Sequence, residues 1–306
     1  MGLKTQLIDL GTGSNAPGAS ADVSFNLMGH AHECLYLKLE DAAGVRTEAE
    51  IAADVDRVKL YIDGEEQWNI RADDLVRVRE YDGESFGDTA DDTTGALVIP
   101  LVPSFAISQD LAANLRLGTK DLKSCSLLVK CTAACGATKM RLGSDVAPNE
   151  NCGLVRSIKE RPRNHAAADT EEINDLPMDV SRRICRYFIN LGATPGVIDV
   201  DGGVVYSQNG VPKCEMRPSL ASTAAKRAGR TAHASWCVVD LQRRGLLADA
   251  VAFAGDPSTG HPDPITEHAL KIVWSTAPAA YRILEETYVY IVGQRTKAAA
   301  AEAAAA

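Results

Sequence analysis

Aromatic residues are scarce in this chain of 306 residues, at 5% of the total, and only three are tryptophans: Trp68, Trp236 and Trp274. A module that recognises sugars by stacking them on exposed rings would want more, so carbohydrate binding is disfavoured. Basic charge is short as well. Against 41 Asp and Glu stand 32 Lys and Arg, a formal charge of −9, whereas attachment to a phosphate backbone needs clustered cations. No direct nucleic-acid binding is expected. No window approaches the roughly 18 apolar residues of a membrane-spanning helix. Met1 to Gln6 holds no apolar run of signal-peptide length, which points to a chain made and kept in the cytoplasm. Gly2 is placed for an N-terminal myristoyl group, but Gln6 stands where that motif wants Ser or Thr. Catalysis lacks a foothold too. No serine sits in a nucleophile elbow and no motif places a His–Asp pair, so neither a catalytic residue nor an enzymatic activity is expected.

What the chain has in quantity is alternation, the period-two signal of β-strands. Val23, Phe25 and Leu27 share one face of their segment, Leu35, Leu37 and Leu39 that of the next, and Val58, Leu60 and Ile62 that of a third. Asp63-Gly64 then supplies a residue pair suited to a tight hairpin with positive φ. Further strands read at 96–102, 125–131, 183–190, 196–206, 235–241, 270–274 and 287–292. Helical patterning is confined to 109–115, 223–229 and 246–253. Many strands with few long helices mean an all-β sandwich or barrel. The pattern also recurs. Val58–Gly64 resembles Gly196–Gly202 at an offset of 138 residues, and Leu97–Leu101 resembles Cys237–Leu241 at 140. Near-equal offsets suggest a duplicated barrel, with chance similarity of short strands as the alternative. The eight cysteines are scattered through a chain that lacks a secretion signal, which favours reduced, mostly buried thiols over disulfides.

Several clusters invite a chemical reading. Gly11-Thr-Gly13-Ser-Asn-Ala16 matches the dinucleotide-binding pattern, but Pro17-Gly18 follows where a helix must start, so a flexible arm is expected instead. His30 and His32 flank Ala31 at a strand start and project from one face, as a two-His metal site on a barrel would require. Glu33 and Glu40 do not fit the carboxylate spacing of a cupin-like metalloenzyme, which leaves polar histidines on a solvent or subunit face. Cys131 and Cys135 lack a second ligand pair for zinc. Asp88, Asp91 and Asp92 form an acidic loop that could hold calcium but matches no EF-hand; a solvated turn is the plainer reading. Arg156, Lys159, Arg161 and Arg163 form a basic cluster in an acidic chain, and either meet anionic lipid headgroups or belong to a solvated linker.

One motif is more specific. Thr170-Glu-Glu-Ile-Asn-Asp-Leu-Pro177 precedes Arg183-Ile-Cys-Arg-Tyr-Phe-Ile189, Gly192-Ala193 and Val200-Asp-Gly202. Upstream come Val58–Gly64, Gly95–Ser104, Leu117-Gly-Thr119 and Ser124–Val129; downstream come Leu270-Lys-Ile272 and Tyr288–Gly293. In order and spacing these stretches resemble the major capsid proteins of corticoviruses, tailless marine bacteriophages with a membrane inside the protein shell. The resemblance spans roughly residues 18 to 295 and departs at 257–264, at 83–95 and in the alanine tail. It implies two tandem jelly-roll β-barrels, a double jelly roll, with short helices in the connecting loops. It also implies a homotrimer that mimics a hexagon and an icosahedral shell over a lipid bilayer. The implied partners are the chain itself, minor capsid and vertex proteins and the internal membrane; the implied location is the virion, and calcium is the one ion in prospect. The expected boundaries are 1–17 for an N-terminal arm, 18–155 for the first jelly roll, 156–177 for a polar linker, 178–295 for the second jelly roll, and 296–306 for an alanine-rich tail. Tyr36, Tyr187, Tyr288 and Tyr290 are candidates for outward positions buried between subunits. A cupin-like enzyme using His30 and His32 and a carbohydrate-binding jelly-roll module are the alternative readings.

Overall fold

A computed structural model describes residues 6–14, 22–83, 95–103, 115–179, 181–191, 198–199, 202–233, 235–242, 250–253 and 265–291. The chain divides into two compact units, Met1–Arg156 and Ser157–Ala306. The first holds β1 (Gln6–Ser14), β2 (Asp22–Asn26), β3 (Ala31–Asp41), β4 (Gly44–Val45), α1 (Glu48–Asp54), β5 (Val55–Ile62), β6 (Glu65–Arg71), α2 (Ala72–Tyr81), β7 (Leu97–Pro100), β8 (Cys125–Cys131) and β9 (Lys139–Ala147). β10 (Leu154–His165) begins in the first unit and continues in the second. There it is followed by β11 (Thr170–Ile173), β12 (Arg182–Asn190), β13 (Val204–Gln208), β14 (Val211–Met216), α3 (Pro218–Arg227), β15 (Trp236–Asp240), β16 (Val251–Ala252), β17 (His268–Val273) and β18 (Ala279–Tyr290).

Alternation accounts for the strands of the first unit. Val23 and Phe25 of β2, Leu35, Leu37 and Leu39 of β3, Val58, Leu60 and Ile62 of β5, and Leu127 and Val129 of β8 are all buried. Register brings these side chains together: Val58 lies opposite Val129 and Leu60 opposite Leu127, the cross-strand contacts that stabilise a sheet. Among the described residues the main strands of each unit pair in two sets. In the first, β3 pairs with both β7 and β9, and β9 with β1, while β5 pairs with both β6 and β8, and β8 with β2. In the second, β12 pairs with both β15 and β18, and β18 with β10, while β13 pairs with both β14 and β17, and β17 with β11. Apart from the two-residue strands β4, paired with β3, and β16, paired with β12, the two wiring diagrams correspond, with a helix inserted at the same place (α2 after β6, α3 after β14). Two antiparallel sets of four strands wired in this way make a jelly roll, and the chain has two.

The hairpins repeat in atomic detail. Asp63 (φ 51°) and Gly64 (φ 85°) turn β5 into β6, and Asn209 (φ 47°) and Gly210 (φ 74°) turn β13 into β14. Asp63 Oδ1 accepts the amides of Lys123 and Ser124 at 2.7 and 3.0 Å. Asn209 Oδ1 accepts those of Thr266 and Glu267 at 2.9 and 3.2 Å. The backbone amides of Asp63 and Asn209 donate in turn to Ser124 and Glu267. The true counterpart of the first hairpin is therefore Asn209–Gly210, an offset of 146 residues, and not the stretch 196–202 expected from the sequence. There Asp199 accepts the Gly202 and Gly203 amides in a turn before β13. The other expected pair holds, because β7 and β15 occupy equivalent places.

Three further expectations change. Residues 6–14, read as part of a free arm, form β1 and pair antiparallel with β9; the glycines of the dinucleotide-like motif lie inside this strand. Residues 156–177, read as a polar linker, are strand over most of their length, because alternation of polar with half-buried residues is as sheet-compatible as alternation of polar with apolar. Helices α1 and α2 were not anticipated. α1 carries a capping box, Thr47 with Glu50, and α2 buries Ala72, Leu75, Val78 and Tyr81 at helical spacing. The expected helix at 223–229 overlaps α3, the one at 109–115 lies almost wholly outside the described residues, and part of the one at 246–253 is β16.

Gly118, in the Leu117-Gly-Thr119 motif, is a close-approach position. A Cβ there would lie 2.5 Å from the Glu150 carbonyl oxygen and 2.6 Å from that of Asn151. Backbone cannot move aside as a side-chain tip can, so Gly118→Ala is expected to lower stability by about 1–3 kcal/mol, read as a shift of the urea midpoint at constant m.

Candidate functional site

The residues singled out in the sequence do not converge. His32 is buried, with Nε2 donating to the Leu27 carbonyl at 2.7 Å and Nδ1 sharing a hydrogen bond with the Ser144 hydroxyl at 2.8 Å. Its ring meets that of His30 edge-on at 6.2 Å, but both nitrogens are taken and none is left to bind a metal. Glu33 pairs with Arg116 at 2.5 Å and Glu40 with Arg141 at 3.1 Å. Among the described residues no group of three His, Cys, Asp or Glu is placed to hold a metal. Asp88, Asp91 and Asp92 lie outside the described residues.

The basic cluster is dispersed by strand geometry. Arg156 falls on the opposite parity of β10 from 159, 161 and 163, so it points to the other side. Its side chain is 0% exposed, 3.3 Å from Asp82, donating to the Pro100 carbonyl at 3.1 Å and lying over the Trp68 ring. It cannot meet a membrane. Arg161 pairs with Glu285 at 2.9 Å and Arg163 with Asp175 at 2.5 Å. The tyrosines divide likewise. Tyr187 and Tyr288 are interior to the second unit, which corrects their expected outward role. Tyr36 is half-buried and donates to Asp145 at 2.5 Å, and both line a trough of about 540 Å³ with Gly143, Asp9, Lys38 and Arg141. Burial, with Asp145 second, raises its phenol far above the ordinary range. Tyr290 is 40% exposed and carries the Arg183 guanidinium over its ring. Trp68 and Trp274 are buried, and Trp236 packs on Phe188 and His233, so no tryptophan offers a free platform to a sugar.

His268 is the second buried imidazole. Its Nε2 faces the Leu176 and Pro177 carbonyls at 3.3 and 3.2 Å, holding the end of the Thr170–Pro177 motif against the core, and its Nδ1 faces the Tyr187 hydroxyl at 3.4 Å. Burial is the largest influence on both His32 and His268 and lowers their pKa below 6.5. A folded-state pKa depressed below the unfolded one means the unfolded chain binds more protons in that window. The contribution is complete above pH 6.5 and is lost as pH falls towards the folded values. Each His is expected to cost up to about 1.4 kcal/mol per pH unit there. Thermal unfolding from pH 7.5 to 5 should show this slope, and the His32→Gln, His268→Gln double variant should flatten it.

The surface feature that sequence reasoning missed is the contrast between the two equivalent helices. α2 is packed, whereas α3 buries one described side chain, Ala225. Leu220, Thr223, Ala224 and Arg227 follow the i, i+3, i+4, i+7 spacing of one stripe, which lies away from Ala225, and Leu220 is 61% exposed. Arg217 at the N-cap, Lys226 and Arg227 are exposed as well. From Arg217 to Val239 there is no Asp or Glu, a signal that was available without coordinates. Beside α3 in the chain runs β14, an edge strand whose Val211 is 53% exposed. Pro212 removes one donor from that edge, at a register shift against β13, which blunts indiscriminate strand addition.

No family model matches the sequence, and no curated protein matches it. Solved structures do. The major capsid protein P2 of bacteriophage PM2 superposes with a TM-score of 0.75 at 16% identity, covering 94% of this chain and 97% of that one. A chain of Sulfolobus Turreted Icosahedral Virus gives 0.62 at 10% identity, covering 94% and 91%. A chain of the PBCV-1 virus capsid gives 0.57 at 10% identity, covering 94% of each. These likenesses show a shared fold, the double jelly roll, over nearly the full length of both partners.

Proposed function

We propose that this chain is the major capsid protein of a tailless virus. The observation that carries the reading is the coincidence of two identically wired jelly rolls with end-to-end likeness to capsid chains at 97% and 91% coverage of those chains. A shell protein needs walls rather than a pocket. Two similar barrels per chain, tripled about a three-fold axis, give six similar walls round one capsomer, and such a tile packs a closed lattice. On this reading the chain forms pseudo-hexameric homotrimers, made in the host cytoplasm and incorporated in the virion. Its further partners are minor capsid and vertex proteins, and the shell encloses a lipid membrane. Among the described residues no helix is long and apolar enough to cross a membrane. Light scattering on purified protein tests the reading. A mass near 98 kDa, three chains of 32.6 kDa, with larger closed particles in micrographs, is the expected result. A folded monomer at micromolar concentration under every ionic condition overturns it.

A further inference from the structure

We infer that α3 of one copy docks on the acidic first unit of the next, so that copies join head to tail through opposite charge. The inference rests on the coat-protein reading and names the contact on which assembly depends. Charge is divided unequally along the chain. Residues 1–156 carry 24 acidic and 15 basic side chains, and residues 157–306 carry 17 of each. The whole net charge of −9 therefore belongs to the first unit. Several of its acids are already satisfied internally, Glu48 by Arg79 and Asp41 by Arg46, but Asp9, Asp22, Glu65 and Asp73 are exposed.

Within the neutral second unit, α3 presents exposed Leu220 with exposed Arg217 before it at the N-cap and exposed Lys226 and Arg227 in the last turn, Arg227 on the Leu220 stripe. An apolar side chain between cations has the form of an interface centre with a charged rim. Its complement is an acidic surface. First unit against first unit would set like charge on like, whereas first against second sets −9 against the basic helix, which selects a heterologous contact able to close a ring. The equivalent slot in the first unit is filled by α2, whose apolar side is spent on its own barrel. Of these two equivalent helices, α3 is thus the one left to dock. A membrane surface is the weaker occupant, because α3 presents no Trp or Phe for the headgroup region and the acidic chain would be repelled by anionic lipid.

The test uses the full chain with Arg217, Lys226 and Arg227 all changed to Glu, beside a milder variant with all three changed to Gln. All three positions are exposed, so circular dichroism and thermal unfolding are expected to match the wild type. Light scattering should show the Glu variant monomeric where the wild type is trimeric, with association weakened about 100-fold or more, and the Gln variant in between. Wild-type association should weaken as NaCl is raised. If the Glu variant assembles like the wild type, the inference is wrong while the coat-protein reading stands. If the wild type does not assemble at all, that reading fails and this one with it. If the substitutions abolish binding to phosphatidylglycerol vesicles or to duplex DNA but leave assembly unchanged, α3 serves that other partner and the inference is overturned.

Discussion

Replacing Glu286 by Ala is expected to destabilise the second unit by about 3–5 kcal/mol. Arg186 of β12 and Glu286 of β18 are register partners, and their side chains meet at 2.6 Å with both 0% exposed. Arg186 also lies over the Phe188 ring at 5.1 Å. β12 and β18 are the reason such a pair is interior. Alternate residues of β12 are not surrendered to water, so Arg186, Phe188 and Asn190 are buried as fully as Tyr187 and Ile189. Removing the carboxylate takes the Glu286 charge away from a desolvated guanidinium, and the cost is that of the less compensated burial rather than the net worth of the pair. Changing Arg186 to Met and Glu286 to Leu together is expected to cost far less than the single change. Urea denaturation of the two single variants and the double gives the coupling directly. A loss below about 1 kcal/mol for Glu286→Ala would show that the arginine finds water or another anion.

In the first unit the largest expected loss is from Trp68→Ala, about 3–5 kcal/mol. The indole of Trp68, on β6, is 0% exposed and donates its N–H to the Arg156 carbonyl. The Arg156 guanidinium sits 5.9 Å from the ring centroid. Truncation opens a ring-sized cavity and strips the aromatic face from a buried cation at once. Trp68→Phe retains most of the volume and the face but loses the donor, so about 1–2 kcal/mol is expected from the lost hydrogen bond to the Arg156 carbonyl. Chemical denaturation followed by circular dichroism separates the two variants. Equal losses would mean that volume is irrelevant and the hydrogen bond decides.

How far the sequence discloses this fold depends on how each strand is buried. β2, β3, β5 and β8 have one face in the core and one towards solvent, so their alternation is visible. β12 and β18 are buried on both sides; the sequence still reads as strand at 183–190 and 287–292, and the part it does not show is 279–286 of β18, where Arg282, Glu285 and Glu286 break any apolar period. β10 looked like a linker because its Pro162, Arg161 and Arg163 belong to an edge-like, half-exposed surface. α1 was overlooked although Thr47 and Glu50 spell a capping box, because seven residues show too little periodicity to stand out. The candidate site was legible only through composition. The acid-free run from Arg217 to Val239 is plain in the sequence, but which of its cations are exposed is not: Arg230 turns inward to Asp240, while Lys226 and Arg227 stay in solvent. The basic run at 156–163 is thinned for the converse reason. Arg156, Arg161 and Arg163 pair with Asp82, Glu285 and Asp175, which are distant in sequence or unremarkable in type, so their neutralisation is a tertiary fact.

The twin hairpins bear on how the protein ages. Asn followed by Gly is the sequence most prone to spontaneous deamidation, in which the glycine nitrogen attacks the side-chain carbonyl, ammonia leaves, and the resulting ring opens to aspartate or isoaspartate. In Asn209–Gly210 the group at risk is the one that anchors the turn to Thr266 and Glu267. The first unit already runs the aspartate form of the same turn, with Asp63 Oδ1 accepting the Lys123 and Ser124 amides. Hydrolysis to aspartate therefore recreates a working anchor and adds one negative charge. Isoaspartate routes the main chain through the former side-chain carbonyl, adds a methylene to the backbone and leaves the free carboxylate on Cα, which displaces the acceptor from the turn, so damage over time at this turn is decided by which way the ring opens.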